Sequence, residues 1–238
     1  MPSGIGLMAL PVSKQPYPGL MPPAAELRAV ITDWGGVLTP PISALVRAWA
    51  SADQIDWDSY LSAVSPWIKA AYEPDGARNP VHELERGECT VAEFEVLLAE
   101  RLVRVDGGPV VAEGMLARML PASGLPVVAM YDIIRGARAR GFKTALLSNS
   151  WGNSGYPRED FPSLFDAVVI SCEVGMRKPE PEIFRHTAAL LDLRPEECVF
   201  IDDIEANITA AEALGMTGVH HVNPSATASR LAELFPVG

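Results

Sequence analysis

Polar side chains that could take part in chemistry follow several short apolar runs of this sequence. They are Asp33, Ser148, Asn149, Lys178, Asp202, Asp203 and Asn207. Singly, an Asp after an apolar run is commonly a turn or helix-cap residue. Together, three converging carboxylates would raise each other's pKa unless a cation lay between them. Such oxygen ligands suit Mg²⁺, which also binds phosphate oxygens. With the lysine charge and the Ser and Asn donors, the set predicts a phosphoryl-binding site.

The elements that must position these residues alternate along the second half of the chain. Predicted strands cover residues 29–32, 143–147, 167–171, 198–201 and 217–222. Predicted helices cover residues 128–140, 180–191 and 204–214. Alternation of strands and helices implies right-handed crossovers and a parallel sheet covered on both faces. We therefore predict a doubly wound α/β fold with the polar residues at the carboxyl ends of its strands, where ligands bind in open sheets.

A long helical segment is predicted between the first strand and the second. Apolar residues recur at helical spacing within residues 41–124, and Thr90 and Glu93 have the spacing of a capping box. Residues 1–26 are rich in proline and are expected to be an N-terminal extension. The remaining residues, 27–40 and 125–238, are expected to form the α/β core, with 41–124 as an all-helical cap.

Composition and charge argue against several kinds of partner. The 238 residues hold 19 Lys and Arg against 30 Asp and Glu, a formal net charge of −11. Nucleic acid and anionic membranes are bound through clustered basic side chains, so this chain is expected to bind neither. The apolar runs are too short to span a bilayer. Three scattered cysteines favour a cytoplasmic protein over a disulfide framework or a zinc site. The oligomeric state stays open.

Four ordered motifs carry a resemblance to a known family. They are Asp33-Trp-Gly-Gly-Val, Leu146-Leu-Ser148-Asn149, Arg177-Lys178-Pro179-Glu180 and Phe200-Ile-Asp202-Asp203-Ile-Glu-Ala-Asn207. In order and spacing they resemble the motifs of haloacid dehalogenase-like hydrolases, over about residues 28–40 and 125–222. The resemblance is strongest to the branch with sugar-phosphate phosphatases and the N-terminal phosphatase domain of soluble epoxide hydrolases. It implies a Rossmann-like core with a helical cap, and a Mg²⁺-dependent phosphatase that acts on a small phosphorylated metabolite.

The resemblance also implies a nucleophile and a set of metal ligands. Asp33 would be the nucleophile and would form an aspartyl-phosphate. A carboxylate nucleophile splits one difficult displacement into two easier steps. The second carboxylate oxygen of Asp33 would bind Mg²⁺ together with the backbone carbonyl of Gly35. Asp203 would be the main acidic metal ligand, with Asp202 beside it, bound directly or through water.

The remaining matching residues would hold or neutralise the phosphoryl group. Ser148 and Asn149 would bind the group as it is transferred. Lys178 would neutralise the charge of the nucleophile and of the phosphoryl group. Asn207 would orient its loop or Lys178. Trp34, which directly follows the nucleophile, is expected to touch the substrate.

Gly35 departs from the pattern of the family. Most of its phosphatases have a second Asp two residues after the nucleophile, which protonates the leaving group and later activates water. A positioned general acid–base is worth about 10²–10⁴-fold in rate, and glycine transfers no proton. Proton transfer to the leaving group could pass to water or to His82 or Glu83 of the cap. A substrate with a good leaving group would not need it. The alternative function is a catalytically weak or inactive phosphometabolite-binding module. Metal-free dehalogenation of a 2-haloacid by Asp33 is a third hypothesis.

Three further features have a structural interpretation beside a functional one. Adjacent residues of a strand point to opposite faces, so His220-His221 is expected to pack rather than to bind a metal. The loop 151–162 is either a border of the active site or an ordinary connection. Gly36 is expected to permit a tight turn beside the nucleophile.

Overall fold

The structure is a computed structural model that describes residues 26–70, 79–121, 126–152 and 155–235. The prediction of an N-terminal extension falls on residues 1–26, and all of these except Glu26 lie outside the described residues.

Five parallel strands form the sheet at the centre of the structure. They are β1 (Ala29–Thr32), β2 (Lys143–Ser148), β3 (Ala167–Ile170), β4 (Cys198–Asp202) and β5 (Thr217–His220). Their order across the sheet is β3-β2-β1-β4-β5, so strand order reverses at β1. Ligands of open parallel sheets bind beyond the strand ends at such a reversal. The predicted doubly wound α/β fold is confirmed, and the reversal brings the ends of β1 and β4 side by side.

The described residues include eleven α-helices, some of which cover the two faces of this sheet. In chain order they are α1 (Ile42–Ala52), α2 (Trp57–Ala70), α3 (Pro80–Glu85), α4 (Val91–Ala99), α5 (Met115–Met119), α6 (Val128–Ala139), α7 (Phe161–Leu164), α8 (Ser171–Val174), α9 (Pro181–Leu190), α10 (Glu205–Glu212) and α11 (Pro224–Leu234). Side chains of α6, α7 and α11 share one apolar core with the sheet, and those of α9 and α10 share another. No helix in the described ranges is both long enough and apolar enough to cross a membrane.

The short strand β1 is buried on both faces. Val30 belongs to the core on one face, and Ala29 and Ile31 belong to the core on the other. Successive side chains of a strand point to opposite faces of the sheet. Because both faces are covered, all three side chains are fully buried. A continuous apolar run is the signature of a parallel strand covered on both faces, which explains why the sequence alone locates this strand.

Helices α1 to α5 lie between β1 and β2 and are called the helical insert below. They share a third apolar core of their own. The predicted capping box is confirmed at the start of α4, where the Glu93 N–H donates to Thr90 Oγ1 at 3.2 Å and the Thr90 N–H donates to Glu93 Oε2 at 2.8 Å. Two ion pairs, Glu85–Arg177 and Arg86–Glu180, join α3 to the loop before α9.

The structure differs from the sequence prediction chiefly in its short helices. α5, α7 and α8 were not predicted, because helices of four or five residues are too short to show a periodic apolar pattern. α11 was also missed, although Asn223 is a recognisable N-cap that accepts the Ala226 N–H at 2.9 Å. The prediction of a strand through Val222 was wrong, since β5 ends at His220 and Val222 is 73% exposed.

Candidate active site

Lys178 lies at the centre of an acidic cluster where β1 and β4 end. Its Nζ is 2.8 Å from Asp33 Oδ1 and 2.6 Å from Asp202 Oδ2. The side chain is almost fully buried, and its Nζ lies 5.6 Å from the centre of the Phe200 ring. Burial alone would lower the pKa of Lys178, but the two carboxylates outweigh it and raise that pKa. The lysine is therefore a fixed positive charge between two carboxylates.

Asp33 is the residue directly after β1, and Lys178 does not fully offset the effect of burial and of neighbouring carboxylates on its pKa. Burial raises the pKa of Asp33 to about 7, while Lys178 acts to lower it and the carboxylates of Asp202 and Asp203 act to raise it. The carboxyl group is thus poised between its two protonation states near neutral pH. Additional positive charge in the cluster would keep it ionised.

The cluster has the composition of a site for a hard divalent cation. Asp33, Asp202 and Asp203 each offer a carboxylate oxygen, and these oxygens all lie within 4.8 Å of one another. The ammonium group of Lys178 contacts two of these carboxylates, those of Asp33 and Asp202. Burial, followed by the charge of Asp202, also raises the pKa of Asp203. Oxygen donors with excess negative charge fit Mg²⁺.

Asp202 and Asp203 differ in what surrounds their carboxylates. Asp202 Oδ1 accepts from the Ile204 N–H at 2.8 Å, Oδ2 accepts from Lys178, and both oxygens accept from Asn207 Nδ2 at 3.1 Å. These contacts use all the roughly four lone-pair sites of a carboxylate. Asn207, which was expected to orient its loop or Lys178, donates to Asp202 at the other end of that loop. The contacts favour Asp203, the residue directly after β4, as the acidic residue that reaches a metal directly.

Gly36 is the position that lets Asp203 approach the cluster. Its φ is +78°, a conformation that glycine adopts without strain, and an added Cβ would lie 2.1 Å from Asp203 Oδ2. The tight turn expected from the sequence is confirmed. The close approach of Asp203 restricts the residue type at position 36 more strongly than the turn does.

Replacing Gly36 by Ala is therefore expected to weaken Mg²⁺ binding by at least about 10-fold, because Asp203 must move away from the new methyl group. Calorimetric titration with Mg²⁺ measures this loss. Gly141→Ala is the matched control, since Gly141 also has a positive φ, +88°, but no neighbouring heavy atom within 4 Å of an added Cβ. Equal Mg²⁺ affinities in the two variants would contradict the account.

The two polar residues at the end of β2 have different surroundings. Ser148 Oγ lies 2.8 Å from the Tyr156 hydroxyl. The Asn149 side chain accepts the Lys178 backbone N–H at 2.8 Å and donates to the Lys178 carbonyl at 3.0 Å. The Asn149 amide, which was expected to bind the phosphoryl group, is thus engaged with the backbone of Lys178 and fixes the loop that carries the ammonium group.

A cavity of about 720 Å³ opens above the cluster, between the core and the helical insert. The structure brings most of the predicted site residues to its lining, and only Asp202 among them lies behind it. The predicted residues in the lining are Asp33, Trp34, Gly35, Ser148, Asn149, Lys178, Asp203 and Asn207.

The acid–base candidates that the sequence suggested in α3 are not in this lining. Among the described residues, the insert contributes the carboxylates of Glu85 and Glu95 to the cavity, and neither His82 nor Glu83 lines it. Sequence periodicity did not distinguish Glu85 from its neighbours, because α3 has only six residues.

The two adjacent histidines have different partners. A ring nitrogen of His220 lies 3.0 Å from the backbone carbonyl of Asp203, and His221 Nδ1 lies 2.8 Å from Thr227 Oγ1. His221 is buried and His220 is exposed, as expected for adjacent residues at the end of a strand. His220 therefore supports the turn that carries Asp203.

Several residues of the site were not predicted individually. Trp151 and Tyr156 belong to the loop 151–162, for which the sequence left open a border of the site or an ordinary connection, and both line the cavity. Glu85 Oε2 lies 2.6 Å from Arg177 Nε, and its Oε1 accepts from Trp151 Nε1 at 3.1 Å. Burial raises the pKa of Glu85, and the contacts with Arg177 oppose this. The residue before Lys178 thus ties the site to the insert.

Comparisons with known proteins agree with this arrangement. A family model described as haloacid dehalogenase-like hydrolase matches residues 27–215. Bifunctional epoxide hydrolase 2 of Mus musculus is 26% identical, over 89% of this chain and 39% of its own length. A sesquiterpene phosphatase of Aspergillus oryzae is 30% identical, over 46% of this chain and 57% of its own length. The chain spans less than two thirds of the length of either relative.

The fold is also similar to solved structures. One is a HAD family enzyme from Bacteroides thetaiotaomicron in complex with magnesium and inorganic phosphate. The TM-score is 0.56 at 24% sequence identity, and the alignment covers 82% of this chain and 93% of that one. This similarity shows a shared fold.

Proposed function

Because the chain belongs to the haloacid dehalogenase-like hydrolases, we propose that it is a Mg²⁺-dependent phosphatase of a small phosphorylated metabolite. The observation that carries the proposal is the buried Lys178, which bridges Asp33 and Asp202 on the floor of a cavity. A carboxylate held beside a fixed cation, with two further carboxylates, suits transfer of a phosphoryl group. The Aspergillus relative named as a phosphatase and the Bacteroides enzyme that binds magnesium and phosphate support the same class of reaction.

In the proposed reaction, Asp33 attacks the phosphorus atom of the substrate. The new Asp33–phosphorus bond forms as the bond from phosphorus to the leaving oxygen breaks. Because Gly35 supplies no acid, the leaving oxygen takes its proton from water. Water then attacks the phosphorus of the aspartyl-phosphate, which releases phosphate and restores the carboxylate. Lys178 neutralises charge on Asp33 and on the phosphoryl oxygens, and Ser148 donates a hydrogen bond to the group.

Asp33, Asp203 and the carbonyl of Gly35 are the groups that we propose hold Mg²⁺. When bound, the ion neutralises phosphoryl charge and orients the group for in-line displacement. Asp202 holds Lys178 and Asn207 in place through the hydrogen bonds described above. Asn149 fixes the backbone of the lysine loop.

Phosphate release from p-nitrophenyl phosphate tests this proposal. The protein is expected to release phosphate with Mg²⁺ and to stop when a chelator is added. A panel of phosphorylated metabolites that varies ring, chain length and charge is measured in parallel. The proposal is wrong if no phosphate ester is hydrolysed, or if turnover is the same with and without Mg²⁺.

Gly35 supplies a further prediction, which concerns the leaving group. A Cβ at position 35 would lie 3.1 Å from Ile42 Cδ1, the end of a side chain that is 38% exposed and free to shift. Gly35→Asp is therefore expected to fit and to raise turnover of alkyl phosphates, by up to about 10²-fold, because it supplies a general acid. For p-nitrophenyl phosphate, whose leaving group needs no proton, the gain is expected to be much smaller.

Gly35→Ala is the matched control, since it adds the same Cβ without a carboxyl group. The leaving-group account fails if Gly35→Asp and Gly35→Ala change turnover of both substrates by the same factor.

The second candidate function is a binding module that retains phosphate and Mg²⁺ recognition without turnover. Its supporting observation is Gly35, together with the fact that, among the described residues, neither His82 nor Glu83 lines the cavity. Calorimetry combined with a phosphate assay distinguishes the two functions. Tight binding of a phosphometabolite without release of phosphate would favour the module, and rapid hydrolysis excludes it.

We also propose the domain organisation and the location. Residues 41–124 act as a cap over a core formed by 27–40 and 125–238. The separate apolar core of the insert supports this division. A cytoplasmic location fits the odd number of cysteines in the sequence.

A further inference from the structure

The cavity above the acidic cluster is much larger than a phosphate group. Its volume of about 720 Å³ lies in the range of pockets that enclose a whole small organic ligand. The charged residues Asp33, Lys178 and Asp203 come from the core side, and the helical insert contributes α1 and α2 to the other side. The phosphoryl group of a substrate would occupy the core side, so the insert faces the remainder of the substrate.

The helical insert lines its side mainly with hydrocarbon and aromatic side chains. They include Ile42, Leu45, Trp57, Leu61, Ile68 and Leu116. The basic side chain that α1 adds to this lining, Arg47, has its guanidinium carbon 4.4 Å from the centre of the Trp57 ring. This part of the cavity therefore offers apolar contacts along most of its wall.

Three of these apolar side chains are exposed to solvent. Ile42 is 38% exposed, Leu61 is 41% exposed and Ile68 is 38% exposed. Neighbouring exposed apolar side chains that surround a cavity mark a ligand-binding surface. An apolar ligand that covered them would gain the free energy of removing hydrocarbon from water.

Among the residues that the structure describes, the two carboxylates that the insert turns toward the cavity already have protein partners. Glu85 accepts hydrogen bonds from Arg177 and Trp151. Glu95 accepts the backbone N–H groups of Gly114 at 3.1 Å and Leu116 at 2.8 Å. A sugar placed against this wall would bury hydroxyl groups beside hydrocarbon and lose their hydrogen bonds to water.

We propose that the substrate is a phosphate monoester of a largely hydrocarbon alcohol rather than a sugar phosphate. This inference rests on the proposed phosphatase function for the position of the phosphoryl group. The hydrocarbon part lies along the apolar wall of α1 and α2, and the phosphoryl group lies at the acidic cluster.

Binding of n-alkylphosphonates tests the inference without requiring turnover, because the carbon–phosphorus bond is not hydrolysed. The ethyl, butyl, hexyl, octyl and decyl compounds are titrated by calorimetry in the presence of Mg²⁺. Affinity is expected to rise about threefold for each added methylene until the cavity is filled. Glucose 6-phosphate is expected to bind more weakly than the octyl compound.

Two variants show where the chain binds. Leu61→Ser is expected to flatten the dependence of affinity on chain length, because Leu61 lines the cavity. Val96→Ser is the matched control: Val96 is a 52% exposed apolar residue of the insert that does not line the cavity, so this variant should keep the parent dependence. Thermal unfolding of both variants verifies that they are folded.

The outcomes separate the two proposals. Affinity independent of chain length, or tighter binding of glucose 6-phosphate, overturns the inference whether or not the protein hydrolyses phosphate esters. A rise with chain length that Leu61→Ser flattens supports it. Hydrolysis of the matching alkyl phosphates is scored separately, and its absence alone would count against the phosphatase function.

Discussion

Replacing Asp33 by Asn is expected to lower phosphate release from p-nitrophenyl phosphate by at least about 10³-fold. The amide has nearly the shape of the carboxylate but is not a nucleophile toward phosphorus. It also removes one negative charge from the oxygen cluster that would hold Mg²⁺. Initial rates at saturating Mg²⁺ measure the loss.

Asp132→Asn is the matched control for this variant. Asp132 lies in α6, its side chain is 66% exposed, and it pairs with Arg135 one helical turn away. This variant should turn over at the parent rate. Comparable turnover in Asp33→Asn and the parent would mean that another group attacks the phosphate.

The second large effect is expected from Lys178→Met, and it concerns stability as well as activity. Without the ammonium group, Asp33 and Asp202 would be left as buried carboxylates with no positive charge between them. Breaking a buried ion pair in this way typically costs about 3–5 kcal/mol. Urea denaturation in Mg²⁺-free buffer measures the loss, and phosphatase activity should fall with it.

The pH dependence of this loss has a definite sign. The pKa of Asp33 is already raised to about 7 in the folded protein, and removal of Lys178 raises it further. A folded carboxyl with a raised pKa stabilises the protein when it is protonated, and this contribution is lost as pH rises through the folded pKa. The loss in Lys178→Met is therefore expected to shrink as pH falls.

Lys143→Met is the control for the loss of a lysine as such. The Lys143 side chain is 41% exposed, lies 3.8 Å from Asp192 and donates a hydrogen bond to the Leu191 carbonyl. Its replacement should therefore cost no more than about 1.5 kcal/mol. A loss in Lys178→Met that is no larger than this, or one that grows toward acidic pH, would show that the buried lysine does not balance the carboxylates.

The sequence predicted the sheet well because its strands carry their own signal. The residues of β1 form a continuous apolar run that polar residues follow. The residues of β4 form a similar run, which ends at Asp202. Short apolar runs of this kind require cover on both faces, which only helices between parallel strands supply. The doubly wound topology and the clustering of Asp33 with Asp202 and Asp203 follow from that pattern.

The orientations of individual side chains were not predictable in this way. Asn149 was expected at the phosphoryl group, but its amide spans the backbone of Lys178, which lies 29 residues further along the chain. Asn207 contacts Asp202 rather than Lys178. The Asn149 contact joins segments that are distant in the sequence, whereas Asn207 and Asp202 are only five residues apart. In both cases, residue type alone does not determine which of several nearby groups an amide will meet.

The apolar wall of the cavity was the other feature that the sequence did not reveal. Leu61 and Ile68 recur at helical spacing in α2, which the sequence cannot distinguish from a core-facing stripe. Only the packing of the helical insert shows that these side chains face the cavity rather than the core of the insert.

The central claim is that Asp33 becomes phosphorylated during turnover in the presence of Mg²⁺. The protein is mixed with substrate, quenched in acid during steady-state turnover and digested, and the peptides are analysed by mass spectrometry. The account predicts that the peptide containing Asp33 gains the mass of one phosphoryl group, and that this gain disappears in Asp33→Asn and in the presence of a chelator. Phosphate release in which another residue, such as Ser148, carries the phosphoryl group would contradict it.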